Sequence, residues 1–204
     1  MAERKTREIY LIRHGATALN SESGNVDCIR GWRNIPLSEE GRQEAKEVAN
    51  ELAGSGIRVL VSSDLDRAFE TASAVAGTTA AELKKTRKLR PWDLGEFTGK
   101  ESSAVHPEMV RYAKQKPDQK IPGGESFNEF SDRVFSGLQD ICEKYPDECL
   151  AIVTHHRVER RIKSWIANGS PPDKSYDIDV MFTFGEKTGH AQKITIDLPA
   201  LFGE

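Results

Sequence analysis

Apolar residues along the chain fall into short strand-length runs separated by stretches of helical spacing. Residues 8–13 (EIYLIR), 57–62 (IRVLVS) and Leu150–Thr154 (LAIVT) are rich in β-branched and aromatic residues and predict three buried strands. After the first of these, Ser38 predicts an N-cap, with Glu39 and Glu40 where acids suit the helix dipole. Ala45, Val48, Ala49 and Leu52 follow at helical spacing up to Gly54-Ser55-Gly56. Asp64 predicts the cap of a second helix carrying Leu65, Ala68, Ala72 and Val75 on one face and closed by Gly77. Ser126 and Glu129 form an S-x-x-E capping box ahead of Phe127, Phe130, Val134, Leu138 and Ile141. The third strand runs into a helix with Val158, Ile162, Trp165 and Ile166 inward, and residues 179–184 and 192–196 predict a final hairpin. Residues 89–124 contain four prolines and no long amphipathic pattern, which predicts a loop-rich excursion with one short helix near 107–114.

Strands alternating with helices predict one α/β domain over residues 1–204: a three-layer α/β/α sandwich with a mostly parallel central sheet. Ligands of such sheets sit beyond the carboxyl ends of the strands. Three polar clusters stand there: Arg13-His14-Gly15, Ser62-Ser63-Asp64 with Arg67 one turn on, and Thr154-His155-His156-Arg157. The net charge of −3, from 29 Lys+Arg and 32 Asp+Glu, argues against a nucleic-acid partner held by bulk positive charge. No apolar run reaches membrane-span length, so no membrane partner is expected. Cys28, Cys142 and Cys149 are odd in number and lack CxxC spacing. With no apolar signal region after MAERKTREIY, they predict free thiols in a reducing cytoplasm. The apolar stretch Leu198–Phe202 is available to pack on its own chain, on a second copy or on a partner, which leaves homo-oligomerisation open.

Two histidines and two arginines at one crevice suit phosphoryl transfer. A neutral His14 imidazole is a competent nucleophile if its Nδ1 donates to a backbone carbonyl and leaves Nε2 unprotonated. Arg13 and Arg67 can clamp phosphoryl oxygens, and a protonated His155 can stabilise the charge that builds during transfer. The proton donor to the leaving group is expected to be Asp93, between Trp92 and Leu94, with Glu96 and Glu125 as alternatives. Adjacent His155 and His156 diverge and no carboxylate stands at ligand spacing, so neither a metal nor a cofactor is expected. Arg157, Arg160, Arg161 and Lys163 read as a solvated basic face, Arg157 alone lying next to the pocket.

These residues resemble the histidine phosphatase superfamily, phosphoglycerate mutase-like branch. The R-H-G-x-T-x-x-x-N pattern appears as Arg13, His14, Gly15, Thr17 and Asn20, and G-x-x-x-x-P-L-S-x-x-G as Gly31, Pro36, Leu37, Ser38 and Gly41. SSDLDRAFETA at 62–72, Gly123-Gly124-Glu125-Ser126 and Ile152-Val153-Thr154-His155 complete five ordered blocks over three quarters of the chain. The resemblance implies a phosphoglycerate mutase-like fold and a phosphohistidine on His14. It also implies a phosphate pocket of Arg13, Arg67 and His155, with Thr17 and Asn20 helping to line it. The chain departs from the family where Pro91 stands at the position usual for a catalytic glutamate, Asp93 lying two residues further on. It departs again where His156 and Arg157 replace the usual small glycines, which makes them, with Glu96, candidates for substrate specificity. Asn34 stands where an acid is frequent. The expected function is a metal-independent phosphomonoesterase acting on a small phosphorylated substrate. A non-catalytic phospho-ligand binding module and a cofactor-dependent phosphoglycerate mutase are the alternatives.

Overall fold

The computed structural model describes residues 5–19, 27–183 and 187–204. Its centre is a five-stranded sheet in the order β3-β2-β4-β1-β5. The strands are β1 (Thr6–Arg13), β2 (Val59–Ser63), β3 (Glu82–Thr86), β4 (Leu150–Thr154) and β5 (Ala191–Asp197). All neighbours are parallel except β5, which runs antiparallel to β1. Strand alternation sorts the side chains into two cores. Ile12, Leu60, Ala151 and Val153 face α1 (Glu39–Glu51) and α2 (Asp66–Thr79). Ile9, Leu11, Val59, Val61, Leu150 and Ile152 face the other way. There they meet α3 (Ser102–Gln115), α4 (Phe127–Lys144), α5 (His156–Ala167), α6 (Ile178–Thr183) and α7 (Leu198–Phe202). Three layers result because β1, β2 and β4 are apolar on both faces.

The Ser38 cap and the Ser126–Glu129 capping box form as the pattern predicts. Other elements differ, each for a local reason. Strand β3 (ELKKT) has no apolar alternation because it is an edge strand, where lysines discourage further pairing. Asp64 does not cap α2; its carboxylate takes two 2.7 Å hydrogen bonds from Arg90. The first turn of α2 is held by Asn34, which accepts from Asp66 N–H and donates to the Asp66 carboxylate, both at 2.8 Å. An acid at position 34 would put two carboxylates together there. Gly77 does not close α2, which continues to Thr79 and ends on left-handed Ala80.

The short helix foreseen near 107–114 is the 14-residue α3, whose buried Val105, Met109, Tyr112 and Ala113 share a face despite Pro107. Residues 178–183 are helical rather than extended, since Asp177 accepts from Asp179 N–H and Met181 N–H bonds Asp177 O. No terminal hairpin forms, because β5 pairs with β1 instead. The C-terminal apolar stretch is α7, whose Ala200 and Leu201 are buried in the chain's own core. Cys28, Cys142 and Cys149 are free thiols. No helix among the described residues is long and apolar enough to cross a membrane.

The turn after β1 packs directly on the start of α1. A Cβ on Gly41 would overlap the Ala16 carbonyl oxygen, and one on Gly15 the Gly41 carbonyl. Gly77, by contrast, lies in α2 with nothing within 4 Å of a Cβ. Gly41→Ala is expected to cost about 1–3 kcal/mol through backbone displacement. Gly77→Ala should stabilise by about 0.5–1 kcal/mol through helix propensity. Urea denaturation of the two variants checks the opposite signs.

Candidate active site

The register of β1 on β4 pairs Arg13 with Thr154, so the residues after them, His14 and His155, leave the sheet side by side. His14 N–H donates to Thr154 O at 3.0 Å, and the two imidazole centroids lie 5.0 Å apart. The loop carrying His14 is held from several sides. Gly15 N–H donates to Thr71 Oγ1 in α2 (3.1 Å), Ala16 N–H to Glu44 in α1 (2.6 Å), and Ser38 N–H to Ala16 O (2.9 Å). His14 Nδ1 lies 2.7 Å from Gly15 O. A carbonyl can only accept, so Nδ1 carries the proton and Nε2 holds the free electron pair.

His155 Nε2 lies 2.9 Å from Ser63 Oγ, at the end of β2. Leu65 N–H donates to that oxygen at a long 3.5 Å; when the hydroxyl proton is directed at His155, Nε2 accepts it. In that tautomer the proton of His155 is on Nδ1, a buried nitrogen with no partner among the described residues and so free to donate. Burial, Arg67 and Arg13 hold His14 well below the usual histidine range. Burial, Arg67 and His14 do the same to His155. Both rings are therefore held in the neutral form around pH 7.

Arg67 is almost completely buried, its guanidinium donating to Gly31 O (3.0 Å) and Arg33 O (2.8 Å). Burial and the neighbouring Arg30 and Arg90 push it down to about 9, still charged at neutral pH. Its Nε is buried and has no hydrogen-bond partner among the described residues. A crevice of about 210 Å³ opens over these groups, with Arg13, His14, Arg67 and His155 on its wall. His156 and Arg157 are there too, so six of the residues named from sequence converge.

Four others do not. Thr17 is buried but off the crevice wall, and Asn20 lies outside the described residues. Glu96 is exposed and off the wall. Asp93 is half-buried, its carboxylate accepting from Gly95 N–H at 3.2 Å, and it too does not line the crevice. Glu125 is held by Arg133 at 2.5 Å. Pro91 does reach the wall, backed by Trp32 Nε1, which donates to its carbonyl (2.9 Å).

Sequence reasoning missed Asp27, Arg30, His106 and Arg160, which also line the crevice. Asp27 is the sole carboxylate residue on that wall among the described residues and pairs with Arg30 at 3.2 Å. The signal for it was slight: an acid and an arginine three apart, just before Gly31, in a loop without periodicity. The basic residues of α5 are not a solvated face. Arg161 is buried between Phe135 and Tyr176, and Lys163 pairs with buried Glu159 at 3.0 Å. Among the described residues no group of three His, Cys, Asp or Glu is placed to hold a metal ion.

The chain is similar to known proteins over most of its length. Residues 9–183 match the family model described as histidine phosphatase superfamily (branch 1). The chain is 37% identical over 162 residues to phosphoglycerate mutase-like protein 4 of Arabidopsis thaliana, covering 76% of this chain and 69% of that one. It is 31% identical over 155 residues to the probable phosphoglycerate mutase GpmB of Salmonella newport, covering 74% and 70%. A mycobacterial glucosyl-3-phosphoglycerate phosphatase shares the fold with a TM-score of 0.73 at 21% identity, over 94% of this chain and 91% of that one.

Two buried neutral histidines make stability depend on pH. Below about pH 6.5 the unfolded chain protonates them while the folded chain resists, so the unfolded state binds more protons and stability falls with pH. The slope should approach about 1.4 kcal/mol per pH unit for each histidine until the folded pKa values are reached. Urea denaturation at pH 7.5, 6.5 and 5.5 should show this slope in the native protein and a shallower one in His14→Asn/His155→Asn.

Proposed function

The chain belongs to the histidine phosphatase superfamily, and from that premise we propose that it is a metal-independent phosphomonoesterase working through a phosphohistidine on His14. The observation that carries this reading is His14 itself. It is a buried, neutral imidazole with Nδ1 fixed on Gly15 O, beside His155 and two arginines on one crevice wall. Nε2 attacks phosphorus as the ester P–O bond breaks, and the leaving oxygen takes a proton. Arg13, Arg67 Nε and His155 Nδ1 face the equatorial oxygens, supplying fixed positive charge and donors as charge redistributes. Water then attacks the phosphohistidine; the N–P bond breaks with its electron pair returning to Nε2, and inorganic phosphate leaves.

The leaving-group proton divides sequence from position. Asp93 is the residue the sequence pattern favours, whereas Asp27 stands on the crevice wall. We assign the proton exchange to Asp27: its carboxylate takes up the proton of a bound monoanionic ester, gives it to the leaving oxygen, and then takes the proton of the attacking water. The mutase names of the curated relatives support a second reading, in which the phosphoryl group is returned to substrate rather than lost to water.

Release of phosphate from p-nitrophenyl phosphate in EDTA tests the main reading. Turnover should fall at least a thousandfold in His14→Ala. Equal rates in the two proteins would leave a non-catalytic phospho-ligand binding module, and phosphoglycerate interconversion dependent on 2,3-bisphosphoglycerate would establish the mutase.

Asp27→Asn should depress hydrolysis of an alkyl phosphate by roughly 100-fold or more and of the nitrophenyl ester far less, since nitrophenolate leaves without a proton. The same selective loss in Asp93→Asn, and not in Asp27→Asn, would return the role to Asp93.

A further inference from the structure

The crevice carries more positive charge than one phosphoryl group accounts for, and the excess lies on one wall. Arg157 and Arg160 stand three residues apart on α5, the spacing that puts two side chains on the same helix face. Both line the crevice. Among the described residues Arg157 donates only to the thioether sulfur of Met109, at 3.6 Å, a weak acceptor for a guanidinium. Arg160 makes no hydrogen bond among the described residues, and its Nε is buried. Neither forms a salt bridge there, in contrast to Lys163 one turn on, which has Glu159.

Like charges at this spacing repel, and burial adds to the cost. Burial, with Arg160 and Arg30 nearby, pushes Arg157 down to about 10, and Asp27 offsets this only in part. Arg160 is lowered by burial and by Arg13, which Glu159 offsets only in part. Side chains held in this way are matched by a ligand that brings negative charge to them.

We infer that Arg157 and Arg160 form a second anion subsite, so that the preferred substrate is a phosphomonoester whose leaving group carries its own carboxylate or phosphate. This rests on the phosphomonoesterase reading and extends it to the leaving group. The transferred phosphoryl group sits at His14, Arg67 and His155, and the leaving group extends toward α5. A planar guanidinium fork matches either a carboxylate or a phosphate.

Two matched pairs of esters separate the sources of the second charge. In 3-phosphoglycerate and glycerol 3-phosphate the difference is a carboxylate; in propane-1,3-diol bisphosphate and the monophosphate it is a phosphate. The measurements are kcat/KM in the native protein and Kd by calorimetry in His14→Ala, which binds without turnover. At least a tenfold preference for the doubly anionic member is expected in one pair, and that pair identifies the group. Arg157→Gln should bring the ratio close to one by raising KM, Arg157→Lys should retain part of it, and Arg160→Gln should move it in the same direction. Ratios near one in both pairs in the native protein would overturn the subsite, even with p-nitrophenyl phosphate hydrolysed. A tenfold binding preference in a protein without phosphatase activity would overturn the reaction and keep the subsite.

Discussion

The parallel pairing of β1 with β4 is the constraint on which the rest of the site depends. It places Arg13 opposite Thr154, and one hydrogen bond beyond the last pair, from His14 N–H to Thr154 O, fixes where each chain leaves the sheet. A slip of one residue would send one histidine to the other face, because strand side chains alternate. The slip is opposed by burial on both faces: Ile9 and Leu11 on one side, with Leu150 and Ile152, and Ile12 on the other with Ala151 and Val153. The hydrophobic cores therefore hold the geometry of the two histidines, and the polar residues inherit it.

Desolvation is the second theme. The same burial that packs the site keeps both imidazoles neutral and strengthens each charge facing the crevice. Arg67 is tolerated in the interior because two carbonyls, of Gly31 and Arg33, satisfy part of its fork. Those carbonyls belong to a loop that Trp32 ties to Pro91 and that Asn34 ties to α2. The phosphate end is thus assembled from segments distant in sequence but rigidly joined, as electrostatic preorganisation requires.

What the chain disclosed in advance follows from how local each signal is. The buried strands, the capped helices α1 and α4 and the residues at the ends of β1 and β4 were legible because burial and capping write short, regular patterns. Strand β3 was not, and helix α3 was legible only as a short helix near 107–114. One is an edge strand of lysines, and the other carries a proline that reads as a break although its buried face continues past it. Asp93 was favoured because its sequence neighbours Trp92 and Leu94 are apolar. Those side chains are buried, but the Asp93 carboxylate is engaged by Gly95 N–H in the turn. Asp27 and Arg160 reach the crevice by tertiary approach, which their spacing to Arg30 and Arg157 does not by itself announce.

The two departures from the family pattern then become one problem. Pro91 removes an acid from the crevice wall, and Arg157 adds a guanidinium to it, so both changes make the same cavity more positive. A site altered in this way at its leaving-group side alone would bind phosphate as before but select differently among esters. The phosphate end keeps the residues of the family pattern, because its geometry is dictated by the sheet. The opposite wall, built from α3, α5 and the segment at 27–31, is free to change without disturbing strand register. On the proposed reading the two histidines are positioned by β pairing, whereas Asp27, Arg157 and Arg160 stand on a loop and a helix packed over the sheet.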